Sequence, residues 1–156
     1  TRSPTVTGVQ TCALPIYRIA RAPLREQGLD FRHGTGHGVG HMLSVHEGPN
    51  MISPRGGNCV FVPGMITSNE PGVYLPGEFG IRLENEILCV ERNGQYQFET
   101  ITFCPFERAA ILPALLTGQE LAWVNHYHKA VREHLMPRLD RNARAWLNAA
   151  TAPLRR

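Results

Sequence analysis

Glycine occupies every second position from 34 to 40 in the stretch HGTGHGVG, and this alternation constrains the fold more than any other feature of the chain. Each glycine inside a helix costs about 1 kcal/mol relative to alanine, so four in eight residues exclude a helix and leave an extended or looping backbone. In an extended segment residues two apart share a face, so His33, His37 and His41 are expected on one side. His46 comes shortly after, giving four histidines within residues 33–49. The glycines also leave room for a ligand or substrate to approach the main chain.

The segments around this stretch point to an α+β domain. Residues 17–27, YRIARAPLREQ, favour a short helix that stops at Gly28. Residues 51–64 are broken by Pro54, Gly56, Gly57, Pro63 and Gly64 and read as a loop. Strands are expected at MITSNE, GVYL and GIRLENEILCVE, and Asn93-Gly94 is a hairpin turn leading into QYQFETITF. Thr117 and Glu120 form a capping box ahead of a helical period that runs to Pro137, and a shorter helix is expected around ARAWLNAA. Residues 1–16 share no helical or strand period with the chain beyond Tyr17 and are expected to be non-native or disordered. The expected division is thus 1–16, a sheet-bearing domain part at 17–112, and a helical extension at 113–156.

A length of 156 residues suits one modest domain or part of one. A formal charge of +3 and 19% charged residues give no basic footprint, so no nucleic-acid partner is expected. No run is long and apolar enough to span a bilayer, so no membrane role is expected and a cytoplasmic protein is the default. Cys12, Cys59, Cys89 and Cys104 are scattered, with neither zinc-knuckle nor disulfide-scaffold spacing.

Imidazole and carboxylate side chains suit manganese, zinc, cobalt or iron, and a two-metal site needs a carboxylate able to bridge. Glu70 in SNEPG sits at a strand end, immediately before a proline. Arg82 and Glu84 in GIRLEN are two apart and share a strand face, as would Glu86 if the strand ran on unbroken. Taken residue by residue, each of these reads first as a surface ion pair or a packing residue and only second as a site residue. For His126, His128 and His134, on the late helix, the structural reading is the stronger. Glu47 and Glu86 have no partner in the sequence and read as solvated.

Taken in order, HGTGHGVG, VHEGP, PGM, SNEPGVY and FGIRLEN resemble the C-terminal half of the catalytic domain of the aminopeptidase P (Xaa-Pro aminopeptidase) branch of the pita-bread metallopeptidases. The resemblance extends from about Tyr17 to the C-terminus. It implies a partial pita-bread fold: a curved antiparallel sheet with flanking helices and a C-terminal helical extension. It also implies His37, Glu70 and Glu84 as metal ligands, with Glu84 bridging. His33 would line the pocket for the substrate's proline, His46 would hydrogen-bond the peptide group, Glu70 would move the proton, and Arg82 would support the Glu84 side. His41 matches a position without a role. The implied cofactor is a pair of divalent ions, manganese first, with zinc or cobalt as alternatives. The implied substrate is a peptide with proline in second position, and the implied assembly a homodimer. A prolidase-like dipeptidase and a non-catalytic pita-bread binding module are the alternatives.

The family also uses two aspartate ligands about a dozen residues apart, ahead of the HGTGH segment. This chain has only Asp30 and Asp140, neither in that context. Glu70 and Glu84 bring two negative charges against the four positive charges of two divalent ions. The expectation is therefore a truncated fragment that binds metal weakly and is inactive or nearly so.

Overall fold

The computed structural model describes residues 13–42, 44–54 and 59–156, and these form two compact units, the first running to Thr102 and the second from Phe103 to Arg156. The division falls earlier than the 112/113 boundary read from the sequence. Most of the expected foreign segment, residues 1–12, lies outside the described residues. Its last part does not stand apart, because α1 spans Ala13–Arg25 and begins ahead of the expected Tyr17. Ala13 is completely buried and Ile16 packs on the same core, so this first turn belongs to the unit's interior.

In the first unit the strands pair into three small antiparallel sheets. β1 (Gly36–His37) pairs with β2 (Met51–Ile52), inside the segment expected to be loop. β3 (Ile66–Asn69), β6 (Asn85–Arg92) and β7 (Gln95–Thr100) form the central sheet in the order β3-β6-β7. β4 (Gly72–Leu75) and β5 (Phe79–Arg82) make a separate hairpin. The long strand expected from Gly80 onward is thus two strands in different sheets. Leu83 and Glu84 lie between them, so Arg82, Glu84 and Glu86 do not share one strand face. The turn at Asn93-Gly94 is as read: both residues have positive φ, 53° and 73°, which a two-residue hairpin of the mirror-image type requires.

Close backbone approach explains why glycines are needed in the histidine-rich stretch. A Cβ on Gly36 would stand 1.9 Å from the carbonyl oxygen of Ser68, and one on Gly38 would stand 2.0 Å from that of Glu47. The expected common face of His33, His37 and His41 does not form. Only Gly36 and His37 are in a strand, and His41 sits in a turn, exposed.

Ala13, Tyr17, Ile52, Phe61 and Cys89 form the buried core of this unit. Burial holds the Cys89 thiol above its ordinary pKa. Arg21, only 2% exposed, staples the loop after α1. It pairs with Asp30 and donates to the carbonyls of Phe31 (2.6 Å) and His33 and to Thr35 Oγ1 (3.3 Å).

The second unit is helical. α2 (Gly118–Leu135) starts at the expected box, Thr117 accepting from the Glu120 amide while Glu120 accepts from Thr117 N–H at 2.8 Å. α3 (Arg141–Ala150) is capped by Asp140. Tyr127, Val131 and Leu147 form its core, and His128 is fully buried there in a structural role, accepting from Phe106 N–H at 3.1 Å. Trp146 is 61% exposed.

Candidate metal and peptide site

His37 ends β1, and Glu70 comes directly after β3, at the point where Pro71 stops the pairing. Two bonds join these segments: Glu70 N–H donates to the Thr35 carbonyl at 2.8 Å, and His37 N–H donates to Ser68 Oγ at 3.0 Å. The side chains then converge, with His37 Nε2 3.2 Å from Glu70 Oε1. His37 Nδ1 lies 3.0 Å from the Gly38 carbonyl. A carbonyl only accepts, so that nitrogen carries the proton, and in the neutral ring Nε2 presents a lone pair toward the carboxylate. An imidazole nitrogen and a carboxylate oxygen converging in this way can share a cation. The donor set therefore fits a hard-to-intermediate divalent ion.

These groups line a cleft of about 680 Å³ together with His33, His46, Met51 and Arg82. His46 lies against His37, their ring centroids 4.2 Å apart. His33 has both nitrogens engaged: Nδ1 donates to its neighbour's carbonyl at Gly34 (2.6 Å), and Nε2 accepts from Tyr74 O–H (2.8 Å). Phe31 packs against the same ring with centroids 4.7 Å apart, so what His33 presents to the cleft is carbon surface. Tyr74 O accepts from Arg82 Nε at 2.9 Å, and this bond is the main reason the Arg82 guanidinium is held above its usual pKa. Arg82 Nη1 stands 3.7 Å from Glu70 Oε2, and the charges of Glu70 and Glu84 both act on the guanidinium.

The structure thus brings together His33, His37, His46, Glu70 and Arg82. Glu84 is exposed in the link between β5 and β6 and is not among the cleft's lining residues. Among the described residues no three histidine, cysteine, aspartate or glutamate side chains form a ready metal cage. Both aspartates are committed elsewhere, Asp30 to Arg21 and Arg25 and Asp140 to the start of α3. Three further residues join the site, although the sequence assigns them no part in one. Tyr74 bridges Arg82 and His33, Ser68 touches both His37 and Glu70, and Glu86 sits opposite Ser68 in the β3-β6 register. Glu86 is half-buried, contrary to the solvated reading, and its Oε2 has no hydrogen-bond partner among the described residues. Burial raises its pKa, and Glu84 and Glu70 add to the rise against an opposing pull from His37.

Comparison with known proteins shows the family. The profile of metallopeptidase family M24 matches residues 7–91, and that of the C-terminal region of peptidase M24 matches residues 94–154. Aminopeptidase P1 of Lotus japonicus is 44% identical over 145 residues, covering 87% of this chain and 22% of the relative. Xaa-Pro aminopeptidase 2 of Rattus norvegicus is 42% identical over 144 residues, covering 86% and 21%. Among solved structures, the X-prolyl aminopeptidase of Caenorhabditis elegans, described as a cytosolic enzyme with a di-nuclear active site, superposes with a TM-score of 0.80. It is 36% identical, over 88% of this chain and 24% of that one. The Pyrococcus furiosus prolidase gives a TM-score of 0.54 at 34% identity, over 62% and 27%. The chain spans about a quarter of the length of these relatives.

Proposed function

The chain belongs to metallopeptidase family M24 and carries part of its pita-bread fold, and from that premise we propose that it is the metal-binding half of an Xaa-Pro aminopeptidase site. The observation that carries this reading is the convergence of His37 Nε2 and Glu70 Oε1 in the cleft. His37, Glu70 and Glu84 would hold the divalent ions, with manganese as the first choice and zinc or cobalt as alternatives. When bound, such ions lower the pKa of water and polarise a carbonyl.

The chain's own residues supply the rest. Glu70 Oε2, the oxygen not bonded to Ser68, takes the proton of the attacking water and hands it to the nitrogen that leaves. His46, exposed at the rim, donates to the substrate's peptide oxygen as charge builds there. His33 offers its carbon surface as one wall for the proline, because both of its nitrogens are already bonded. Arg82, 3.7 Å from Glu70 Oε2, keeps the carboxylate aimed.

The prolidase alternative fits less of the molecule. The likeness to prolidase covers 62% of the chain and that to the X-Pro aminopeptidase of Thermotoga maritima 61%. What favours the worm-type aminopeptidase is its 88% coverage and the separate C-terminal profile over residues 94–154. A homodimer and a cytoplasmic location belong to the same reading. Among the described residues no helix is long and apolar enough to cross a membrane.

Glu70 and Glu84 supply two negative charges, so the 156 residues alone hold two divalent ions weakly and turn over substrate slowly or not at all. The test is hydrolysis of an Xaa-Pro-Xaa tripeptide and an Xaa-Pro dipeptide, with manganese, by this chain and by a version extended upstream to include a paired-aspartate segment. The extended protein should cleave the tripeptide and the short chain should not. Full activity in the short chain would overturn the donor-count argument, and preference for the dipeptide would favour the prolidase reading.

A further inference from the structure

Ser68 lies in β3 with no exposed surface, and its hydroxyl touches both halves of the candidate metal pair. Oγ accepts the His37 amide proton at 3.0 Å and stands 3.0 Å from Glu70 Oε1. A hydroxyl has one proton to give. The carboxylate can only accept, so the Ser68 proton goes to Glu70 Oε1. The backbone of Glu70 is already fixed by its own bond to the Thr35 carbonyl. What the hydroxyl adds is control of the carboxylate plane, whose terminal torsion is otherwise broad.

We propose that Ser68 is a positioning residue for metal binding, turning Glu70 Oε1 toward His37 Nε2 and tying the carboxylate to the histidine's own backbone. This rests on the metal reading above and deepens it. Partners of this kind, which touch ligands and not the ion, typically change metal affinity about ten- to a hundred-fold when removed. Ser68→Ala removes the donor and both lone pairs. Ser68→Thr keeps the hydroxyl on a residue suited to a strand.

The test is titration of the full 156-residue chain with manganese, free ion being followed by its paramagnetic resonance signal. Wild type, His37→Ala, Ser68→Ala and Ser68→Thr are compared, with metal-free melting recorded for each. At the manganese concentration that half-saturates the wild type, Ser68→Ala should fall to about one-tenth occupancy or below, a loss of ten-fold or more in affinity, while Ser68→Thr stays within about three-fold. A purely structural role would lower the metal-free melting point and leave affinity unchanged. Ser68→Ala within three-fold of wild type, or Ser68→Thr as weak as Ser68→Ala, would overturn the proposal. If Ser68→Ala does not fold, Ser68→Cys, a near-isosteric weak donor, takes its place with the same thresholds. Wild-type chain that binds no manganese, or that binds it no better than His37→Ala does, removes the metal reading and this proposal with it. That outcome is distinct from failure of Ser68 alone.

Discussion

Glu70 Oε1 stands 3.2 Å from His37 Nε2 while the other nitrogen of the same ring gives its proton to the Gly38 carbonyl. The ring is thereby fixed in orientation, with Nε2 aimed at the carboxylate. Glu70→Gln keeps the shape and replaces the anion with a neutral amide. It should weaken manganese binding by at least about ten-fold, as expected for loss of a charged ligand. Calorimetric titration of both proteins checks this, and equal affinities would remove Glu70 from the ligand set.

Arg21 decides where the histidine-rich stretch begins. Its guanidinium meets Asp30, the Phe31 and His33 carbonyls and Thr35 Oγ1, and stacks over Phe31 at 3.6 Å and Tyr17 at 4.4 Å. Arg21→Met keeps much of the apolar stem but leaves these acceptors without their donor. Buried groups stranded this way cost about 1–3 kcal/mol each, so urea unfolding should show a loss of about 3 kcal/mol or more. Arg21→Lys should recover little of it, because a single ammonium cannot reproduce the planar fork. Full recovery by lysine would show that charge alone matters here.

Gly36→Ala tests the close contact between β1 and β3. The new methyl would lie 1.9 Å from the Ser68 carbonyl oxygen, a backbone atom that cannot swing aside. Overpacking of this kind costs about 1–3 kcal/mol. Because the displaced strand carries Ser68 and leads to Glu70, manganese affinity should fall together with the urea midpoint. A stable Gly36→Ala protein with wild-type affinity would mean that β1 and β3 can separate without harm to the site.

How much of this was legible before folding depends on the kind of information each residue carries. His33, His37, His46, Glu70 and Arg82 stand in compact motifs, and the cleft gathers all five. Glu84 stands in an equally clear motif, yet it falls between β5 and β6, and no local pattern marks that the strand breaks there. Ser68 and Tyr74 open and close the SNEPGVY motif, and Glu86 lies two residues past Glu84, but nothing in those motifs marks what they touch. Their roles come from pairing register, with Ser68 opposite Glu86, and from the separate hairpin that brings Tyr74 beside Arg82. Register depends on contacts distant in sequence, so the residue types alone do not contain it. In the helical unit most of the information is local, and the capping box and Pro137 place α2 correctly.

His128 gives the chain a pH dependence of a definite sign. The ring is fully buried and accepts from Phe106 N–H through Nε2, so the neutral form carries its proton on Nδ1, which has no partner among the described residues. Burial, then the nearby positive charges of Arg108 and Arg132, push its pKa below the ordinary 6.5. Below that value the unfolded chain takes up a proton that the folded chain refuses. Stability contributed by this site is therefore complete above about pH 6.5 and is lost as pH falls from there toward the depressed folded value, with a slope of at most about 1.4 kcal/mol per pH unit. His128→Gln can keep an acceptor for the Phe106 amide and has no proton to bind. Urea midpoints taken between about pH 5 and 8 should fall more steeply on acidification for the wild type than for His128→Gln, and the two slopes should agree above about pH 7. Parallel curves throughout would mean that His128 is protonated equally in the folded and unfolded chains.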